Sequence, residues 1–255
     1  MKKIVAIGGG EIGRAGYSVE TGEIDKEIIR LSGKKNPKLL FIPTASSDSE
    51  LYYNDIKKHF GDTLECETDA LYLIKEKPSK KEIEKKIFGA DIIYVGGGNT
   101  LKMMKVWRAQ GVDNTLKQAY DKGIILSGVS AGAICWFESG HSDSMKYYKQ
   151  GNWDYIKVKG IGLAKGIFCP HYDGMTLGLP RKDYFQQMIK NNGGFGIAVE
   201  KDCAIEIVDG KYFKIIASTP GASAYKVFKN GKRVVSGKIE QKAEMAPIEV
   251  LYKKS

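Results

Sequence analysis

The sequence predicts an α/β fold in which a mostly parallel β-sheet carries helices on both faces. Short apolar runs rich in β-branched residues alternate with helical segments, as buried parallel strands do. These runs cover residues 3–7, 39–43, 91–95 and 124–127. Later apolar runs flank Asp209-Gly210 and Asn230-Gly231, which are residue pairs typical of β-hairpin turns. We therefore expect one domain over residues 1–255, with a C-terminal hairpin extension from about residue 196.

The helical segments between the strands carry start and stop signals. Ser79 and Glu82 have the spacing of a capping box, and Gly89 follows as a stop. Another helix begins after the third strand, with Asn99 or Thr100 as its N-cap. Because helices and strands alternate in this way, the sequence favours parallel strands joined by helical crossovers.

Ser130 lies in a G-x-S-x-G pattern, Gly128-Val129-Ser130-Ala131-Gly132, between the fourth strand and a helix start rich in small residues. A strand, a sharp turn and a helix form the context in which this pattern exposes a nucleophilic serine. The backbone N–H of Ala131 would then face the hydroxyl and could stabilise an oxyanion. Ser130 is therefore the leading nucleophile candidate, and an ordinary strand-to-helix turn is the alternative.

Three consecutive glycines, Gly96-Gly97-Gly98, follow the third predicted strand and precede Asn99 and its helix. Ligands bind at the carboxyl ends of parallel strands, and glycine lets the backbone approach a substrate closely. Amides of this loop could supply the second oxyanion donor opposite Ala131. A phosphate-binding loop or a plain turn is the alternative, although the Gly-Lys-Ser/Thr ending of a nucleotide P-loop is missing.

A serine nucleophile needs a base, and the chain has three histidines. His171 follows an apolar strand and Pro170, so it should stand at a strand end, where catalytic groups collect. His59 should lie at a helix C-terminus, a structural position for a cationic side chain. His141 should lie in a surface loop beyond the elbow helix. We therefore favour His171 as the base.

The base needs an acceptor that holds its tautomer, and Glu200 follows another short apolar run at residues 196–199. Asp143 and Asp173 are rival carboxylates. The residues alone do not decide among the three.

In order along the chain, these motifs resemble the family of serine peptidases that includes peptidase E (aspartyl dipeptidase) and cyanophycinase. The resemblance covers about residues 38–210 and rests on residues 41–45, 95–100, 130–133, 170–172 and 196–200. It implies a flavodoxin-like sheet similar to that of class I glutamine amidotransferases. It also implies Ser130 as nucleophile, His171 as base, Glu200 as orienting acid and the amides of Gly98 and Ala131 as oxyanion donors, with no metal or cofactor.

The resemblance further implies hydrolysis of a peptide or isopeptide bond beside an aspartyl residue, through an acyl-enzyme. An arginine would suit the aspartyl carboxylate because its planar fork binds both oxygens. Arg181 resembles an arginine similarly placed in peptidase E, and Arg14 and Arg108 are further candidates. We expect Gly97, Asn99 and Arg181 to contact the substrate. The alternative function is a non-catalytic small-molecule binder on the same fold.

Composition agrees with a soluble, cytoplasmic enzyme. No apolar run reaches the roughly 18 residues of a membrane span, and residues 1–10 do not resemble a signal peptide. The net charge is +10, but only five of the 40 basic residues are arginines, and the lysines are scattered among glutamates as on a solvated surface. We expect a small peptide as the partner, and neither a nucleic acid nor a membrane; a homodimer is one assembly that the sequence allows.

Two other sequence features, a glycine-rich motif and the four cysteines, are candidates for other kinds of site. Gly8-Gly9-Gly10-Glu11-Ile12-Gly13 matches a dinucleotide fingerprint, but the following residues look like loop and the next strand has no acidic end. We therefore expect an active-site rim loop there. The four cysteines show no C-x-x-C pairing, so reduced thiols are favoured over disulfides or zinc.

Overall fold

A computed structural model of the chain describes residues 1–176 and 178–253, so the last two residues of the predicted 196–255 extension lie outside it. The described residues contain an eight-stranded sheet, a six-stranded sheet and a two-stranded ribbon. From edge to edge, the eight-stranded sheet consists of β16 (Ala246–Pro247), β13 (Tyr212–Ala217), β12 (Cys203–Val208), β1 (Lys3–Ile7), β5 (Ile125–Val129), β4 (Ile92–Val95), β2 (Lys38–Ile42) and β3 (Glu67–Ala70).

Five neighbouring strands of this sheet, β1, β5, β4, β2 and β3, run parallel. The register pairs Ile7 with Val129 and Val95 with Gly128, so β1, β4 and β5 end side by side. Strands β12 and β13 form the predicted hairpin around Asp209-Gly210 and join the sheet antiparallel to β1. The predicted α/β fold class is confirmed.

Eight α-helices accompany the sheets in the described part of the chain: α1 (Gly22–Ser32), α2 (Glu50–Ile56), α3 (Lys80–Phe88), α4 (Thr100–Gln110), α5 (Val112–Asp121), α6 (Ala131–Ile134), α7 (Arg181–Asn192) and α8 (Ile248–Tyr252). The capping box of Ser79 and Glu82 begins α3 as predicted, and α3 ends before Gly89. No helix in the described ranges combines the length and the apolar character needed to cross a membrane.

Alternation along β1 explains why helices cover both faces of the eight-stranded sheet. Ile4 and Ala6 belong to a core that also contains residues of α4 and α5, whereas Val5 and Ile7 belong to a second core with residues of α1. Successive side chains of a strand point to opposite faces, so an apolar run without polar interruptions requires cover on each side.

The six-stranded sheet was not predicted as a separate unit. Its strands, from edge to edge, are β15 (Arg233–Lys238), β14 (Ala224–Asn230), β11 (Phe195–Val199), β8 (Ala164–Cys169), β6 (Phe137–Ser142) and β7 (Ile156–Lys159). The predicted hairpin around Asn230-Gly231 is formed by β14 and β15 and extends this second sheet. Phe168 and Ile197 from its centre belong to the same core cluster as Ile4 of the first sheet, so one core joins the two sheets.

The remaining short elements follow the second sheet or connect strands. The ribbon consists of β9 (Met175–Thr176) and β10 (Leu179–Pro180) and precedes α7. Residues Lys57–Thr63 form a π-helix. His59 lies within this π-helix and not at a helix end as expected; it is buried, with Nε2 2.9 Å from Asp25 Oδ2. Its role is therefore to link the π-helix to α1.

Candidate active site

Ser130 occupies the sharp turn between β5 and α6. Its φ of 55° and ψ of −108° lie outside the ordinary helix and strand regions, as expected of a strained turn held by its surroundings. A Cβ at Gly132 would overlap the Val95 carbonyl, and one at Gly128 would lie 2.5 Å from the Gly132 carbonyl oxygen. The two flanking glycines are therefore required by the close approach of α6 to β4 and β5.

His171 is brought to Ser130 from the second sheet. It follows β8 and Pro170, has a φ of 49°, and donates its backbone N–H to the Gly8 carbonyl at 2.9 Å. Its Nε2 lies 3.0 Å from Ser130 Oγ. A Cβ at Gly9 would overlap the imidazole at Nδ1, so the absence of a side chain there makes room for the ring. The predicted nucleophile and base are in hydrogen-bond contact.

Burial lowers the pKa of His171 to about 4, and the nearby positive charge of Arg181 acts in the same direction. The negative charges of Asp143 and Asp173 oppose the shift without cancelling it. The imidazole is therefore neutral at pH 7. A neutral Nε2 facing a serine hydroxyl can accept its proton.

In the described part of the chain, no hydrogen bond joins Glu200 to His171. The Glu200 carboxylate accepts the Ser223 N–H at 2.8 Å and the Tyr225 hydroxyl at 3.0 Å. Tyr225 lies in β14 and Ser223 immediately precedes it. The two donors therefore hold the Glu200 side chain against the start of that strand. The orienting role expected of Glu200 requires a hydrogen bond from His171 Nδ1 to its carboxylate. This arrangement of the described residues does not contain that hydrogen bond.

The rival carboxylates are also engaged elsewhere. Asp143 Oδ2 lies 2.7 Å from Lys146 Nζ, and Asp173 Oδ1 accepts the Lys201 N–H at 3.0 Å. Across the described residues, no hydrogen bond joins a carboxylate to His171 Nδ1. The Gly8 carbonyl holds the backbone of His171, and Gly9 leaves room for the ring.

The two predicted oxyanion donors are the amides of Gly98, in the glycine loop that reaches Ser130 at Gly97, and of Ala131, the next residue after Ser130. Gly98 has a φ of 137°, and a Cβ there would overlap the Ala45 carbonyl, so the loop conformation requires glycine. A Cβ at Gly97 would lie only 3.6 Å from the Ser130 Cβ. Within residues 1–176 and 178–253, neither the Gly98 amide nor the Ala131 amide donates to a protein acceptor. Both N–H groups are therefore available to a ligand.

Gly97, Gly98 and Asn99 line the cleft that contains Ser130 and His171, which has a volume of about 1310 Å³. Asn99 also caps α4, because its Oδ1 accepts the Lys102 N–H at 3.0 Å. The cleft contains several side chains that the sequence did not single out, including Tyr52, Lys102, Tyr147 and Tyr148. They come from three separate segments, and only the folded chain brings them together.

The glycine-rich motif at residues 8–13 lies on the rim of this cleft, as expected. Gly10, Glu11 and Ile12 line it, and Gly9 packs against His171. Helix α1 begins only at Gly22, so no helix N-terminus follows the glycines as a dinucleotide site requires.

Arg181 does not line the cleft, in contrast to the expected substrate contact. It is buried, with 4% of its surface exposed, and donates from Nη2 to the His141 carbonyl at 2.9 Å. Its guanidinium lies 4.8 Å from the centre of the Tyr155 ring. Arg181 therefore acts on the site through its charge, by lowering the pKa of His171.

The other predicted positions differ as follows. Arg14 lines the cleft but pairs with Glu11, and Arg108 donates to the Lys159 carbonyl and lies away from the cleft. His141 is fully buried in β6, stacked on Tyr155 with ring centres 3.9 Å apart, so the surface-loop expectation was wrong. Its strand pairs with β8 inside the second sheet, whose extent the sequence did not indicate.

The chain is similar to a known peptidase family and to relatives that are named as peptidases. The model of peptidase family S51 matches residues 4–215. The chain is 36% identical over 230 residues to the uncharacterized peptidase YgaJ of Bacillus subtilis (strain 168), covering 89% of this chain and 92% of that protein. It is 32% identical over 165 residues to the uncharacterized peptidase Lmo0363 of Listeria monocytogenes, covering 64% and 77%, respectively.

Solved structures share the fold at low sequence identity. A crystal structure of a peptidase from an acI-B1 Actinobacterium has a TM-score of 0.71 and 17% identity, covering 97% of each chain. A putative peptidase E protein from Listeria monocytogenes EGD-e has a TM-score of 0.55 and 18% identity, covering 94% of this chain and all of that one. With the family match over most of its length, the chain belongs to peptidase family S51 and is a peptidase.

Proposed function

We propose that this peptidase is a serine hydrolase that cleaves peptide or isopeptide bonds in short peptides through an acyl-enzyme. The observation that carries the proposal is the 3.0 Å contact between Ser130 Oγ and His171 Nε2 at the strained turn. A hydroxyl and a neutral imidazole at this separation are the minimal parts of an activated serine nucleophile.

The reaction begins when Ser130 Oγ attacks the scissile carbonyl while His171 Nε2 takes the hydroxyl proton. The carbonyl oxygen becomes an oxyanion, which the free amides of Gly98 and Ala131 stabilise. Collapse of the tetrahedral intermediate breaks the C–N bond, and the imidazolium gives its proton to the leaving amine. His171 then deprotonates a water molecule, which attacks the ester and returns Ser130 to its starting state.

In the proposed mechanism, His171 is positioned differently from the histidine of a Ser-His-Glu triad. Glu200 can serve His171 only if its carboxylate leaves Ser223 and Tyr225. In the arrangement described, the Gly8 carbonyl holds the backbone of His171, and the ring occupies the space beside Gly9. We therefore propose a Ser130–His171 pair as the working unit, with Glu200 stabilising the nearby strand β14.

The substrate is proposed to be a short peptide, with an aspartyl residue beside the cleaved bond as a candidate. The family implies a peptide substrate. The cleft is large enough for a ligand of a few residues, since small-molecule sites typically measure ~300–1,000 Å³.

The proposal is tested with a panel of dipeptides and β-aspartyl isopeptides, by measuring amine release. We expect turnover by the wild type and a loss of at least about 10³-fold in Ser130→Ala, as for other activated serines. Ser127→Ala is the matched control, because Ser127 is a buried serine of β5, the strand that leads to Ser130, and its hydroxyl donates to the Ile93 carbonyl. Equal turnover by Ser130→Ala and wild type would refute the mechanism, and binding without turnover would favour a non-catalytic binder.

A further inference from the structure

Among the described residues, three cationic side chains line the cleft: Arg14, Lys102 and Lys146. Two of them are neutralised by carboxylates, since Arg14 pairs with Glu11 and Lys146 lies 2.7 Å from Asp143. Lys102 Nζ instead donates to the Ser47 hydroxyl at 2.8 Å. Among the residues that the structure describes, no carboxylate forms an ion pair with Lys102.

Lys102 is close in the chain to the proposed oxyanion donor Gly98. It lies in the first turn of α4, and its backbone N–H donates to the Asn99 cap. Gly97, in the loop that precedes α4, packs against the Ser130 side chain. A group bound by Lys102 would therefore occupy the cleft on the side of the proposed oxyanion hole.

Ser47 lies in a turn whose backbone is held by its surroundings. Ser47 and Asp48 both have positive φ, 61° and 57°, which persists in such residues only when the surroundings fix it. The Ser47 N–H donates to Thr44, whose hydroxyl in turn accepts the Trp107 indole N–H at 3.2 Å. Asp48 is fully buried and accepts the Ile74 N–H at 2.6 Å. The turn thus positions the Ser47 backbone, and the Ser47 hydroxyl accepts a hydrogen bond from the Lys102 ammonium.

An ammonium group has three N–H donors, and the Ser47 hydroxyl uses one of them. A carboxylate that reached Arg14 or Lys146 would have to compete with Glu11 or Asp143, whereas Lys102 carries no such competitor. Charge-assisted hydrogen bonds are roughly twice as strong as neutral ones, so a carboxylate is the partner that this position favours.

We propose that Lys102, held by Ser47, forms a carboxylate subsite of the cleft. The inference rests on the proposed peptidase function and deepens it by naming a charged group of the substrate. The bound carboxylate is either an acidic side chain or the free C-terminus of the peptide, since both present the same oxygens. Lys102 is then a specificity-determining residue, and it contributes to binding without taking part in proton transfer.

The test measures binding in the Ser130→Ala background, so that no probe is consumed. The probes are Asp-Leu, Asn-Leu and the C-terminal amides of both, titrated by calorimetry. We expect Lys102→Met to weaken Asp-Leu binding by about 10- to 100-fold, the range for one hydrogen bond to a charged group. The loss should disappear with Asn-Leu if the side-chain carboxylate is bound, or with the amide of Asp-Leu if the C-terminus is bound.

The matched control is Lys105→Met, because Lys105 is an exposed lysine of the same helix that does not line the cleft. It should bind all four probes like its parent, and thermal melting confirms that each variant is folded. Unchanged Asp-Leu binding by Lys102→Met, an equal loss for all four probes, or no binding of any probe by the parent would each overturn the subsite. Failure of the hydrolase proposal is separate, since it appears as serine-independent or absent turnover in the wild type.

Discussion

The burial of His171 fixes the protonation state of the proposed base. Desolvation of the imidazole and the positive charge of Arg181 together lower its pKa to about 4. The protonated form cannot accept the Ser130 proton, and the neutral form can. Activity should therefore be lost as the pH falls through about 4 and should be fully present above it.

The resulting prediction concerns the pH dependence of kcat/KM, which reports the free enzyme. We expect the acid limb of the wild-type profile near pH 4, followed by a plateau through neutral pH. Arg181→Met removes a positive charge and should move this limb to higher pH, whereas Arg108→Met, away from the cleft, should leave it in place. A wild-type limb near 6.5, the ordinary value for histidine, would contradict this account of the site.

At the residue scale, the sequence predicted positions more reliably than contacts. Ser130 and His171 could be found because a strand end and its turn are visible in the local pattern. The partners of Glu200 and Arg181 could not, since they depend on which strand lies alongside and where each side chain points. Gly9 was also missed as a neighbour of His171, because nothing near it in the chain indicates that β8 ends there.

At the scale of elements, close backbone contact between α6 and its neighbouring strands shapes the elbow. Gly132 is the tightest point, since an added Cβ would meet the Val95 carbonyl, which belongs to a buried strand and cannot move freely. The position of Ser130 thus depends on the packing of a helix of only four residues, Ala131–Ile134.

Gly132→Ala should therefore displace α6 and impair both stability and catalysis. We expect a loss of about 1–3 kcal/mol in the free energy of unfolding, the usual cost of overpacking, together with a lower kcat. Gly22→Ala is the control, because the nearest atom to its added Cβ lies at 3.9 Å. Urea denaturation and dipeptide turnover measure the two effects, and wild-type values for Gly132→Ala would show that the contact is not restrictive.

Both C-terminal hairpins were predicted, but the sheet that each of them joins was not. The Asp209-Gly210 hairpin joins the eight-stranded sheet, and the Asn230-Gly231 hairpin joins the six-stranded one. A turn signal specifies the pairing of the two strands beside it and contains no information about the sheet edge that receives them.

For the whole molecule, the site exists because two sheets meet along one core. Ser130 follows β5, a parallel strand of the first sheet, and His171 follows β8 of the second. The loop at residues 8–10 contacts the first sheet, where the Gly8 N–H donates to the Cys203 carbonyl, and contacts His171 at Gly8 and Gly9. The parallel half was predictable from alternating strands and helices, whereas the second sheet combines strands from residues 137–238 that no local pattern connects.

The acyl-enzyme is the central claim, and partitioning of this intermediate tests it most directly. Two peptides that share the acyl residue but differ in the leaving amine are hydrolysed in the presence of hydroxylamine, and the ratio of hydroxamate to free acid is measured. A common ester on Ser130 predicts the same ratio for both peptides, because the amine has departed before the ratio is decided. A ratio that changes with the leaving amine would contradict a shared covalent intermediate.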